Sequence, residues 1–189
     1  MDLLEHLRGQ ARANRLANRR LHEAMRPLSE AEFTAVRTGF FPSLAKTLNH
    51  ILAVDVYYLA ALHREADMEA QWQRFVPAAT LHELAARQAT SDERLIAYCE
   101  SLDAAALEAP IAMDRGERVD TDSAARVLAH LFMHQVHHRG QAHAMLSGTS
   151  VKPPQLDEFL LASDARFRVE DLQALGWSEE LLMRGPLSP

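Results

Sequence analysis

Residues 123–146 constrain the fold more than any other stretch. The segment holds no proline and a single glycine, Gly140, so nothing breaks a helix across it. It also carries His130, His134, His137, His138 and His143, half of the chain's ten histidines. On a helical wheel one stripe reads Val127, Leu131, His134, His138, Gln141, Met145. Such a stripe normally faces a core, yet three consecutive positions of it are polar. A buried polar group without a partner costs about 1–3 kcal/mol. The chain therefore needs a core that gives imidazoles something to bind.

The rest of the chain supplies helices to build that core. Ala, Leu, Glu and Arg are plentiful and glycines number 7, a mix that favours helix. Residues 2–25 carry a loose helical pattern ended by Pro27, and a short helical turn is expected within 29–37. Gly39 breaks the chain there, and Pro42 suits the first turn of a second helix running to about residue 65. TLHE at 80–83 is a capping-box pattern that opens a third helix, to about residue 102. Residues 109–121 differ: two short segments flank DRGE at 114–117, as in a small hairpin. Thr121 or Asp122 is expected to cap the fourth helix, with Gly148 as its stop. Beyond Pro153-Pro154, helical candidates lie near 155–162 and 169–184. The fold class is all-α, a four-helix bundle over residues 1–162, with a hairpin-like insertion and a C-terminal extension, 163–189, packed on the same domain.

Several function classes fall away on composition. The net charge of -6 argues against a broad nucleic-acid surface. Cys99 is the one cysteine, so no internal disulfide forms, in keeping with a reducing compartment. The N-terminal MDLLEHLRGQ has charges where a signal peptide needs an apolar run. The longest apolar run, within 51–62, is interrupted by Asp55 and too short for a bilayer. A cytoplasmic protein without membrane contact is expected.

His134 and His138 are four apart, which puts their Cβ atoms about 5–6 Å from each other on one face, the spacing by which a helix offers two ligands to one ion. His130/His134 and His134/His137 have workable spacing too, but His134/His138 sits closest to the apolar centre. A third ligand has to come from elsewhere, from His6, His22, His50, His63 or His82. His50 has the best context, on a stripe of Ser43, Thr47, Val54, Tyr57 and Ala61 suited to lining a cavity. His130 and His137 are placed at a pocket rim and His143 on the far side. Gly140, at about 1 kcal/mol relative to Ala, points to close packing or ligand approach. Arg139 is either a surface charge or an anchor for an anion. Asp55 is either an acceptor behind a ligand or a helix-surface carboxylate. Cys99, on a stripe with Leu95 and Leu102, is a core thiol. Trp72 and Phe75 either cover a pocket end or pack.

HQVHHRGQAH at 134–143 strongly resembles the DinB family, and NHILAVDVYYL at 49–59 and, more loosely, ANRLANRRL at 13–21 support the resemblance over about residues 1–162. It implies a four-helix bundle with up-up-down-down order and a metal triad of His50, His134 and His138. Met133 stands where the family often has Asn. The resemblance further implies a divalent ion, zinc or nickel, with an open coordination position, and a homodimer. It also implies metal-dependent transfer or isomerisation of small molecules with a low-molecular-weight thiol as cosubstrate. In that scheme Arg139 or Arg126 receives a carboxylate of the thiol, and Tyr57 joins them at the substrate. Metal-assisted hydrolysis and a non-catalytic metal-binding role in stress response are the alternatives.

Overall fold

Each of the four long helices begins at a residue whose side chain accepts a backbone N–H of the first turn, a contact worth about 1 kcal/mol. The computed structural model describes residues 2–184, and in it Asp2 caps α1 (Leu3–Met25), Ser43 caps α3 (Leu44–Leu62), Thr80 caps α5 (Leu81–Ser101) and Ser123 caps α7 (Ala124–Leu146). Between them lie α2 (Glu30–Thr34), α4 (Met68–Gln73), α6 (Ala104–Leu107) and a hairpin of β1 (Pro110–Asp114) with β2 (Val119–Ser123). The tail adds a 3-10 turn (Ala162–Phe167), α8 (Val169–Leu175) and α9 (Glu179–Arg184).

Three helix starts differ in detail from the sequence patterns, although Thr80 caps its helix as expected. Pro42 precedes the Ser43 cap instead of entering the helix, and its carbonyl accepts the Arg37 N–H at 2.8 Å. The Glu83 carboxylate reaches past Thr80 to the N–H of Ala79 at 3.0 Å. Ser123, the last residue of β2, caps α7 in place of Thr121 or Asp122, which lie within the strand before it. The hairpin is antiparallel, with Pro110 opposite Ser123 and Asp114 opposite Val119.

The helix order is up-down-down-up, which corrects the up-up-down-down expectation. Arg8 near the start of α1 donates to carbonyls of Cys99 and Leu102 at the end of α5, so these two run antiparallel. Asp55 pairs with Gln88, and Glu65 just after α3 pairs with Arg94, so α3 and α5 run parallel. Thr47 meets Met145 while Tyr58 meets His130, so α3 and α7 are antiparallel. Only residues 63–80 must then travel the length of the bundle. At about 3.3 Å per extended residue that link exceeds the roughly 28 Å of a helix like α3, 19 residues long.

The core has two apolar ends and a polar middle. At one end Leu7, Leu59, Leu62, Leu95, Leu128 and Leu131 pack with Ile111 of the hairpin. At the other, Leu21, Met25, Leu44, Ile51, Leu84 and Leu146 pack with Phe33. Between them Asn14, Asn18, Asp55, Gln88, Asp92, Gln135 and Arg139 are all buried. The tail packs Phe159, Leu172 and Leu182 on Leu16 and Ala17 of α1. Residues 155–162 form no regular helix. The carbonyls of Gln155, Glu158 and Leu161 serve Arg20 and Arg168 instead of a helical ladder. The 169–184 candidate is divided at Gly176, whose φ is +67°. The final residues of the expected extension, 185–189, lie outside the described residues.

Candidate metal centre

The antiparallel pairing of α3 and α7 brings His50 to His134 and His138. Nε2 of His50 lies 3.0 Å from Nε2 of His134. One nitrogen from each of the three rings can be chosen so that all lie within 4.8 Å of one another. No other set of three His, Cys, Asp or Glu side chains converges in this way among the described residues. Burial, with help from its imidazole neighbours, pushes His50 down to about 4 and His134 down to about 3, and it lowers His138 as well. All three are therefore neutral near pH 7, with lone pairs a cation can accept.

One of the three rings, that of His138, is oriented from behind. His138 Nδ1 lies 2.8 Å from Gln141 Oε1, so it donates there and leaves Nε2 unprotonated. The Gln141 amide nitrogen in turn lies 3.2 Å from His137 Nε2. Nδ1 of His134 is buried without a partner among the described residues. That nitrogen is where the proton sits when Nε2 binds a cation. Bonds of about 2.0–2.1 Å to one ion separate neighbouring nitrogens by about 2.9 Å in octahedral and about 3.4 Å in tetrahedral arrangement. The 3.0 Å separation of the two Nε2 atoms fits such an ion.

Phe41 closes one side, its ring centroid 4.4 Å from that of His50 and 5.6 Å from that of His138. Its position depends on Gly39. A Cβ there would collide with the Met145 methyl and stand 3.0 Å from the Phe41 carbonyl oxygen. The other side opens into a cavity of about 310 Å³ lined by Val54, Tyr57, Tyr58, Glu69, Trp72, Asp114, Arg115, His130 and His134. Larger hollows exist, such as one of about 580 Å³ beside His22 and His82, but no ligand triad meets there.

Of the residues expected at a substrate, Tyr57 lines the cavity and its hydroxyl donates to the Asp114 carbonyl at 2.6 Å. Arg126 is exposed, 3.7 Å from Asp122, and does not reach the cavity. Arg139 is not a surface charge. It is buried and donates to the side-chain oxygens of Asn14 and Asn18. Asp55 is not a surface carboxylate; it accepts from Gln88 at 2.7 Å within the polar layer. A Cβ at Gly140 would meet nothing within 4 Å, so close packing does not require that glycine. On the His50 stripe only Val54 and Tyr57 line the cavity. Ser43, Thr47 and Ala61 are buried in packing. Trp72 covers one end of the cavity, edge-on to Tyr57, whereas Phe75 lies under Arg87. Cys99 is a core thiol pushed up to about 12 by burial. Of the other candidate ligands, His22 is buried apart from the triad and His63 stacks edge-on against Tyr98. His130 sits against Tyr58 at the cavity, as a rim position requires.

Sequence reasoning missed Phe41, Tyr58 and Arg115. The one signal for Arg115 is its place in the hairpin alternation: Ile111 and Met113 are the buried positions of β1, and residue 115 continues that face.

No helix among the described residues is long and apolar enough to cross a membrane. No curated protein matches the sequence. The family model described as "DinB family" matches residues 5–171, most of the chain including all three converging histidines, and the protein belongs to that family.

Proposed function

We propose that His50, His134 and His138 bind one divalent ion, zinc or nickel, and that the protein is a metal-dependent enzyme acting on a small electrophile with a low-molecular-weight thiol as cosubstrate. The observation that carries this reading is the meeting of three neutral imidazoles, with a ring nitrogen of each within 4.8 Å of the others, one of which, His134, lines a cavity of about 310 Å³. Three protein ligands leave a position open, the mark of a site that does chemistry rather than one that only staples a fold. Imidazole donors suit zinc and nickel alike. Bound there, the ion would lower the pKa of a thiol or water beside it.

The protein's own groups do the rest. Gln141 holds His138 in one tautomer. Phe41 shields His50 and His138 from solvent on one side. Tyr57, Tyr58 and Trp72 give the cavity an aromatic wall for the body of the substrate. Metal-assisted hydrolysis is the second reading, favoured by the Glu69 carboxylate at the cavity, since hydrolysis needs a general base. A homodimer belongs to the proposal too. Met133 and Val136, three apart on α7, are both exposed, the apolar surface a second copy would cover.

The test follows loss of free thiol with a panel of electrophiles, with and without added zinc or nickel. Metal-dependent loss that disappears in His134→Ala supports transfer. Hydrolysis of ester or amide probes without thiol loss selects the second reading. Metal binding with neither activity leaves a non-catalytic binding protein.

A further inference from the structure

We propose that Arg115 is the carboxylate receptor of the cavity beside the triad, and that the small molecule taken there is an organic acid with a flat, unsaturated body. The inference rests on reading that cavity as the substrate site and adds the chemical class of its occupant.

The hairpin places Arg115 deliberately. Ile111 and Met113 face the core, and an arginine follows on the same face, where a third apolar side chain would have extended the packing. The turn after it closes by an Arg115 N–H to Arg118 carbonyl bond of 2.8 Å. Gly116 takes φ +80° there, a conformation other residues resist. The hydroxyl of Tyr57 ties the Asp114 carbonyl to α3 at 2.6 Å. The guanidinium thus lies over the rings of Tyr57 and Tyr58, 4.9 and 5.6 Å from their centroids.

Its hydrogen-bonding capacity is largely unspent. A guanidinium offers five N–H donors. One Nη2 donor meets the Tyr58 hydroxyl at 3.0 Å. Nε forms an ion pair with one oxygen of Asp120 at 3.5 Å, while Arg118 holds the other oxygen at 2.9 Å. The other donors take no partner among the described residues. Neither carboxylate on the cavity wall forms an ion pair with Arg115 among the described residues. Asp114 accepts the Gly116 N–H at 2.9 Å, and Glu69 accepts from Gln73 at 2.7 Å. A planar fork with free donors, set on an aromatic wall and facing His134 across a small cavity, matches a carboxylate on a flat molecule.

The test compares benzoate with benzamide, which share shape and differ in charge. Binding is followed by saturation-transfer NMR to the wild type, Arg115→Gln and Arg115→Lys. Each protein is studied as purified and after metal removal by chelation, with circular dichroism confirming the fold. The expected result is a benzoate preference of at least ~10-fold, or ~1.4 kcal/mol, in the wild type. It collapses in Arg115→Gln, is partly kept in Arg115→Lys and survives chelation. Absence of the preference, or its persistence in Arg115→Gln, overturns the proposal, as does a preference that vanishes on chelation in the wild type. Should the protein bind no metal while the Arg115-dependent preference stands, the metal reading alone fails. If Arg115→Gln does not fold, Arg115→Met, which keeps the aliphatic stem without the donors, replaces it: collapse of the preference supports the proposal and its persistence overturns it.

Discussion

Three imidazoles set close together in a partly buried place repel protons, and that repulsion is a measurable property of single residues. Their folded values lie below the ordinary 6.5, so protons compete with a bound ion only well into the acid range. Metal occupancy is accordingly expected to hold nearly constant from pH 8 down to about 5.5, measured by equilibrium dialysis. A loss centred on the ordinary histidine value of about 6.5 would show that the rings are not held as described. Gln141 bears on the same ligands from behind. Gln141→Ala removes the acceptor for His138 Nδ1 and is expected to weaken metal affinity by about 10–100-fold, read by competition with a chromogenic chelator. At this scale the histidine triad was legible: periodicity placed His134 and His138 on one face, and the resemblance added His50. Arg139 was not, because a wheel shows direction and not partners. The Asn14 and Asn18 oxygens that claim it come from another helix.

At the scale of elements, the polar layer across the middle of the bundle carries a pH dependence of its own. Burial raises Asp55 to about 7 and Asp92 to about 8, and each carboxylate's partners only partly offset this. The folded state therefore holds protons that the unfolded chain releases near 3.8. Their contribution to stability declines as pH rises above that value and is fully lost once pH passes the folded values. Below 6.5 the depressed histidines act oppositely, since the unfolded chain then gains protons the folded one refuses. The window that isolates the aspartates is pH 6.5–8. Thermal melts should fall across it in the wild type and flatten in Asp92→Asn. An equal slope in both would contradict the account of this layer. The hairpin was legible as an element, from a turn sequence between two short segments. That its tip would stand at the histidines was not, because the placement depends on the Tyr57 contact to β1.

For the whole molecule, helix content, boundaries and the bundle itself followed from periodicity and caps. Helix direction did not. It is decided by which ends share an apolar cluster, and that is visible only once Leu7 is seen beside Leu95 and Leu21 beside Leu84. The tail was the least legible part. Its side chains replace helical hydrogen bonds with arginine contacts, and fully buried Arg168 binds two carbonyls and Glu179. The tail nevertheless covers α1, so Leu182→Ala is expected to cost about 2–3 kcal/mol in chemical denaturation, where no change would mean the tail does not contribute to the bundle's stability.

The most direct test of the metal centre is metal content by mass spectrometry on tag-free protein, beside His50→Ala, His134→Ala and His138→Ala. Close to one divalent ion per chain is expected in the wild type, and its loss in each folded variant. A wild type that holds no ion even after reconstitution, or variants that keep theirs, would contradict the triad as a metal centre.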